Sequence, residues 1–283
     1  MPDAAAFVFA PPPARHAVHA ALRVIDPAAA GLPWLALPGG RSNRLWRRGD
    51  LVIKLHDPVA ASPLFPNDAR AEARALAQFS PLGLAPQPCA GGADWLIYRH
   101  VAGSTWDPRA PGADPAAVAR MLGRLHRAAP PKAGFRPLPN GSATILAQAQ
   151  GFAPADLPAP PPDPGIAPAD PVCVHADAVA GNIIVTPQGP VLIDWQCPGL
   201  GCGAEDLAAF LSPAMHWLYT GSCLTADQSA AFLAGYPDAI TRARYAALAP
   251  VLHWRIAAHC AWKARRGDAD YAQALRLELH HLG

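Results

Sequence analysis

Residues 175–195 read HADAVAGNIIVTPQGPVLIDW and carry three oxygen-bearing side chains at a spacing suited to phosphoryl transfer from ATP. Asp177 stands two residues after His175 and five before Asn182. A second carboxylate, Asp194, closes the apolar run Val191-Leu192-Ile193. Residues 182–186 and 190–193 read as two short strands around Pro187-Gln188-Gly189, so a single hairpin would hold Asp177, Asn182 and Asp194 at one end. Phosphoryl transfer to a hydroxyl needs such a set. One carboxylate orients the hydroxyl and takes its proton, while an amide oxygen and a second carboxylate suit Mg²⁺.

Those groups need a nucleotide held above them, and the N-terminal part of the chain has elements for that. Residues 35–37 lead through Pro38-Gly39-Gly40-Arg41-Ser42-Asn43 into a strand over 44–48, a tight turn at Gly49-Asp50 and a strand over 51–55. Glycines let a backbone approach phosphate oxygens closely, and Ser42 and Asn43 add donors. A Gly-Gly loop alone also fits an ordinary hairpin, but here it precedes a strand that bears a lysine. Lys54 interrupts the apolar Leu51-Val52-Ile53-Lys54-Leu55. It is either an edge lysine pointing outward or a buried cation, which needs a partner because burying an ammonium is costly. Asp68 opens a helix reaching Phe79, with Glu72, Leu76 and Phe79 on one stripe. Glu72 thus lies on the apolar face, and Lys54 is the cation expected to meet it. A short helix over 14–25, with Val18, Leu22 and Ile25 on one face, precedes these elements.

The remainder reads as mostly helical. Asp114-Pro115 caps and opens a helix whose stripe is Val118, Met121, Leu122 and Leu125, with His126 packed near its end. Residues 150–171 are dense in proline and read as an extended loop. A single helix is expected after Gly203, its buried stripe running through Leu207, Phe210, Leu211, Ala214 and Leu218. Asp206 at its start reads as a capping or ion-pairing residue, and Glu205 as a candidate to face an acceptor. Thr225-Ala226-Asp227-Gln228 is a capping box. Helical patterns continue over 245–263, interrupted at Pro250, and over 268–282, where Asp268, Asp270 and Glu278 suit a solvated face. No long peptide-docking segment follows Asp194, which favours a small-molecule acceptor over a protein substrate. Trp217, Tyr219, Trp254 and Trp262 are candidates to box that acceptor.

Composition limits the alternatives. A chain of 283 residues can bury a sizeable core, and a net charge of +2 argues for neither nucleic acid nor an anionic membrane surface. The apolar N-terminal stretch lacks a basic segment and is broken by Pro11-Pro12-Pro13, so it does not read as a signal peptide, and no apolar run approaches a membrane span. Six cysteines without a CxxC pair read as free thiols in a reducing cytosol, hence a cytoplasmic location. The oligomeric state leaves no trace in the sequence.

The pattern HxDxxxxN followed by hydrophobic-Asp-Trp resembles the aminoglycoside phosphotransferase and choline/thiamine kinase families. The segment LGRLHRA at 122–128 looks like a helix of the same enzymes, and GGRSNRLW at 39–46 is more similar to the loop of choline and thiamine kinases. The resemblance implies an α+β, bilobal, protein-kinase-like fold. Residues 1–100 would form a small, mostly antiparallel β lobe with one key helix, and residues 101–283 a mostly helical lobe containing the catalytic hairpin 172–195. It implies ATP and Mg²⁺ as cofactors and Asp177 as the catalytic carboxylate. Asn182 and Asp194 would hold the metal, and Gly40, Ser42, Asn43, Lys54 and Glu72 would serve the phosphates. Tyr98, Arg99 and His100, running into Val101, would hold the adenine edge. The acceptor implied is a hydroxyl-bearing small molecule, choline- or thiamine-like or aminoglycoside-like. The alternative is a catalytically inactive nucleotide-binding module, whose signature would be loss of one of Lys54, Asp177, Asn182 or Asp194. One departure is Ala176 where these families carry glycine; a loop needing positive φ there would be strained.

Overall fold

The computed structural model describes residues 15–37, 41–131 and 134–282. The N-terminal part comprises α1 (His16–Ile25), β1 (Leu35–Ala36), β2 (Arg44–Arg48), β3 (Leu51–Leu55), α2 (Ala69–Phe79), β4 (Pro88–Gly91) and β5 (Trp95–Arg99). Its five strands form one sheet in the order β1-β2-β3-β5-β4, and every neighbouring pair is antiparallel. Every residue of the central β3 is buried because both faces are covered. On one face Leu51, Ile53 and Ile97 pack with Val18 and Leu22 of α1. On the other, Val52, Leu96 and Tyr98 join Leu76 and Phe79 of α2. The two-residue period of a strand places Lys54 on the same face as Val52, toward α2. Asp68 caps α2 by accepting from Arg70 N and Ala71 N, so the helix starts where its sequence signal lies.

Downstream, β6 (Ser104–Thr105), α3 (Pro115–Arg127), β7 (Arg136–Pro137) and α4 (Ser142–Gln150) lead to β8 (Val172–Val174). Then come β9 (Ile183–Thr186), β10 (Gly189–Leu192) and β11 (Gly199–Gly201). Five helices follow: α5 (Ala204–Leu211), α6 (Pro213–Thr220), α7 (Ala226–Gly235), α8 (Ala239–Ala264) and α9 (Asp270–Leu282). Small sheets β10-β9-β6 and β7-β11-β8 lie among them. Asp114 caps α3 and the Thr225–Gln228 pair boxes the start of α7, as their sequence signals predict. Residues 151–171 form neither helix nor strand, consistent with their proline density. No helix among the described residues is long and apolar enough to cross a membrane.

Two helical expectations are corrected. The single helix expected over 204–218 is two, α5 and α6. Ser212 leaves helical geometry and caps α6 by accepting from Met215 N, with Pro213 at the first helical position, where its missing N–H costs nothing. Conversely Pro250 does not interrupt α8, which runs unbroken through it for 26 residues. Proline there removes one hydrogen bond, and packing of the long buried face of α8 outweighs that loss.

The sheet and the helical part meet at α2. Phe79 stacks on Trp195 with centroids 4.9 Å apart. Asp68 N donates to Gln196 O (3.0 Å), and Leu192 N to Leu84 O (3.2 Å). The helix bearing Glu72 is therefore fixed to the hairpin bearing Asp194.

Candidate active site

β9 and β10 pair antiparallel around Pro187-Gln188, with Ile183 opposite Leu192. At the open end Ile193 N donates to Asn182 O (2.9 Å), which sets Asn182 beside Asp194. Asn182 Nδ2 donates to the Asp177 carbonyl (2.9 Å) and to Asp177 Oδ2 (3.0 Å). Asp177, Asn182 and Asp194 thus converge, and all three line one cavity of about 40 Å³ together with Ser42. Gly181 is required by a close approach: a Cβ there would stand 2.2 Å from the Tyr219 ring.

The loop before Asp177 is held from behind by Asp206, which is fully buried. It accepts from His175 N (2.9 Å), Ala176 N (2.7 Å) and His126 Nε2 (3.0 Å). His175 Nε2 donates to Ile193 O (3.0 Å), linking the loop to the hairpin. Ala176 adopts φ of 63°, the left-handed conformation that glycine takes without strain, and Asp194 adopts φ of 61°. Two backbone N–H bonds to Asp206 hold the unfavourable Ala176 geometry in place.

Lys54 is the centre of the charge arrangement. Its Nζ lies 2.6 Å from Glu72 Oε2 and also bonds Asp194 Oδ1. His56 Nε2 shares the same Glu72 oxygen at 2.7 Å. Burial alone would lower the Lys54 pKa, but the Asp194 and Glu72 carboxylates outweigh it and raise it. Asp177 goes the other way from a normal carboxyl: burial and then the Asp194 charge push it up to about 8.

A second cavity, of about 420 Å³, lies under the sheet and shares Asn182, Asp194 and Tyr219 with the first. Val52, Tyr98, His100 and Val101 line it. In the expected adenine-edge stretch the Arg99 side chain and N–H are already engaged. Alternation along β5 turns its side chain away, toward Asp50 at 3.6 Å, and its N–H is used by Gln87 O. His100 N also donates, to Asp50 O (2.9 Å), whereas Val101 N has no partner among the described residues. The role expected of the Asn43 side chain needs correction. Its Nδ2 donates to Asn67 and Gln196, and its Oδ1 accepts from Asp57 N and Asn67, so its amide ties the loop to α2 and is not free for phosphate. Gly40 lies outside the described residues.

Other lining residues come from segments that sequence reasoning did not connect. Arg41, Phe65, His259, Lys263 and Tyr271 border the small cavity. The only signal was a histidine and a lysine one turn apart on the late helix α8. Of the aromatic candidates Tyr219 lines both cavities, while Trp254 is buried and donates to Pro158 O (3.0 Å). Glu205 is paired with Arg255 inside the helical part and does not face the site.

A family model described as "Phosphotransferase enzyme family" matches residues 33–250. No curated protein sequence matches the chain. A choline/ethanolamine kinase family protein from Mesorhizobium loti has a similar structure, with TM-score 0.63 and 17% identity, covering 94% of this chain and 92% of that one. The choline kinase LicA from Streptococcus pneumoniae gives 0.61 at 17% identity, over 93% and 98%. The streptomycin–ATP–APH(2")-IIa ternary complex gives 0.62 at 12% identity, over 95% and 97%. At these identities the likeness is one of fold, and the fold is the α+β, protein-kinase-like one that the motif implied.

Proposed function

Because the chain belongs to the phosphotransferase enzyme family, we propose that it is a small-molecule kinase, moving the γ-phosphoryl group of ATP to a hydroxyl with Mg²⁺ as cofactor. The observation that carries this reading is the meeting of two cavities at Asn182 and Asp194, with Asp177 bordering only the smaller. The larger takes the nucleotide, its adenine packed against Val52 and Tyr98 and its edge at the Val101 N–H. Lys54, steadied by Glu72, serves the phosphates. Asn182 Oδ1 and the Asp194 carboxylate are hard oxygen donors, a set that fits Mg²⁺. The metal, when bound, supplies neutralisation of charge on the phosphates. Asp177 orients the acceptor hydroxyl. A cation held by Asn182 and Asp194 would offset the Asp194 charge that, after burial, raises the Asp177 pKa, and so favour its ionised form. As the acceptor oxygen bonds to the γ-phosphorus and the bond to ADP breaks, Asp177 then takes the hydroxyl proton.

The same reading divides the chain into a nucleotide-binding lobe over 1–100 and an acceptor-side lobe over 101–283. A structural neighbour solved with streptomycin and ATP together supports nucleotide use by this fold. Six free cysteines fit a reducing, cytoplasmic setting.

The test is ADP formation by the purified chain with ATP, Mg²⁺ and a broad panel of hydroxyl-bearing metabolites. Acceptor-dependent ADP release that vanishes in Asp177→Asn supports the reading. Nucleotide binding without turnover on any acceptor would replace it with an inactive nucleotide-binding module.

A further inference from the structure

The aromatic walls of the cavity beside Asp177 already carry cations belonging to the protein. The Arg41 guanidinium carbon lies 6.0 Å from the Tyr219 ring centroid and 5.5 Å from that of Tyr271. Lys263 Nζ lies 5.3 Å from the Tyr271 ring. Such ring faces are the seats an ammonium-bearing acceptor would use, and here it would meet like charge. His259 adds a polar atom without a charge: it is buried, its Nδ1 has no partner among the described residues, and burial lowers its pKa to about 3.

The positive edge continues outward. Ala60 and Lys263 also border a surface groove of about 350 Å³, together with Trp262, Arg266 and Asp268. Arg266 stacks over Trp262 at 3.7 Å and has no carboxylate partner among the described residues. Asp268 is the one carboxylate among the described residues on the groove, and it is shared between Lys263 (3.6 Å) and Arg41 (3.9 Å). Asp270 pairs with Arg41 at 3.1 Å but borders neither space. Apart from Asp177 and Asp194, which belong to the proposed transfer chemistry, no carboxylate among the described residues lines the inner cavity.

We propose that the acceptor is a hydroxylated molecule with an anionic group, a carboxylate or a phosphate ester, which lies along Lys263 and Arg266 while its hydroxyl reaches Asp177. The position of the hydroxyl rests on the phosphotransferase reading; the preference for an anion does not. Amino alcohols and aminoglycosides, which the motif alone would suggest, are disfavoured.

Binding and turnover separate the two claims. Binding is measured by calorimetry on Asp177→Asn with ADP and Mg²⁺, using D-glycerate, D-gluconate and glucose 6-phosphate against choline, ethanolamine and kanamycin. Turnover is measured on the unaltered chain with the same compounds. Acids are expected to bind in preference to cations, more weakly as salt is added. Lys263→Glu and the exposed Arg266→Glu should each weaken them by about tenfold, with nucleotide affinity retained. Tighter binding of the cationic set, no binding of any acid, or acid binding indifferent to both reversals overturns the proposal. Lys263-dependent binding of an acid without ADP formation on any acceptor would remove the phosphotransferase reading and leave the charge preference standing.

Discussion

Lys54 Nζ and Glu72 Oε2 lie 2.6 Å apart with both side chains closed off from solvent. A buried pair of this kind is destabilising to break, because removal of one partner strands a charge. Glu72→Leu is expected to lower stability by about 3–5 kcal/mol and to weaken nucleotide binding as Lys54 turns wholly to Asp194. The double variant Lys54→Met/Glu72→Leu should be less destabilised than the sum of its singles, since it leaves no charge of the pair stranded. Urea denaturation of the four proteins, with a nucleotide titration of each, decides this.

Asp177 and Asp194 share the small cavity, and the proposed function gives them different roles. Asp177→Asn is expected to slow transfer by about 10²- to 10⁴-fold while nucleotide affinity changes little. Asp194→Asn removes a metal donor and a Lys54 partner together, so its rate should fall at least as far and the Mg²⁺ concentration for half-maximal rate should rise. Steady-state kinetics across a Mg²⁺ series distinguishes the two; equal Mg²⁺ dependence in both variants would refute the division of roles.

Ala176 has φ of 63° and hydrogen-bonds through its N–H to Asp206 Oδ1 (2.7 Å). The left-handed conformation costs an L-residue about 1–2 kcal/mol, and glycine pays part of that back through greater freedom in the unfolded chain. Ala176→Gly should therefore stabilise the protein by about 0.5 kcal/mol. Ala176→Val should destabilise it by more than that, because a β-branched residue is poorly tolerated there. Thermal unfolding of both variants checks the signs.

His216 is buried against the rings of Trp106 and Phe210, and among the described residues its ring nitrogens have no well-formed hydrogen bond, only a weak approach to the Phe210 backbone. Burial lowers its pKa to about 4, against an opposing contribution from the Phe210 backbone. In the unfolded chain it titrates near 6.5. Between these values the unfolded state binds the extra proton, so this contribution to stability is full above pH 6.5 and is lost as pH falls toward 4. Asp177, raised by burial, acts in the opposite sense over the same range. The clean measurement is therefore a difference. Going from pH 7.5 to pH 5, His216→Phe should gain about 1–2 kcal/mol relative to the unaltered protein. A constant difference across pH would show that the imidazole titrates in the folded state as it does in the unfolded chain.

What could be read from the chain was local or periodic. The Asp177, Asn182 and Asp194 spacing sits within one hairpin, and the Glu72 stripe within one helix, so short-range rules placed both. Lys54 against Glu72 spans two elements, yet the cost of burying either charge alone left few partners. The failures share a cause. Asn43 lies in a donor-rich loop, and only the packed structure brings Asn67 and Gln196 to its amide. The cavity wall beside Asp177 is built from Arg41, Phe65, His259 and Tyr271, which are distant in sequence and carry no common spacing. The break at Ser212 and the continuity through Pro250 are choices between local propensity and packing, and packing prevailed in each.

Glu278 shows the same limit most sharply. Its place in the last helix suits a solvated face, but it is fully buried. It accepts from Ser212 Oγ (2.6 Å) and Ala214 N (3.0 Å) and bonds His253 Nδ1 at 2.6 Å, while His253 Nε2 meets Tyr245 OH at 3.0 Å. One carboxylate thus joins α9 to the α5–α6 break and to α8, the helix that carries His259 and Lys263. Glu278→Ala should cost about 3 kcal/mol by leaving buried donors unpaired. Because the three donors depend on one another, His253→Ala in the same chain should add much less than it costs alone. If α9 anchors the acceptor wall, the Glu278→Ala variant will also lose acceptor affinity at temperatures where it is still folded, with nucleotide affinity retained; unchanged acceptor binding would confine Glu278 to stability.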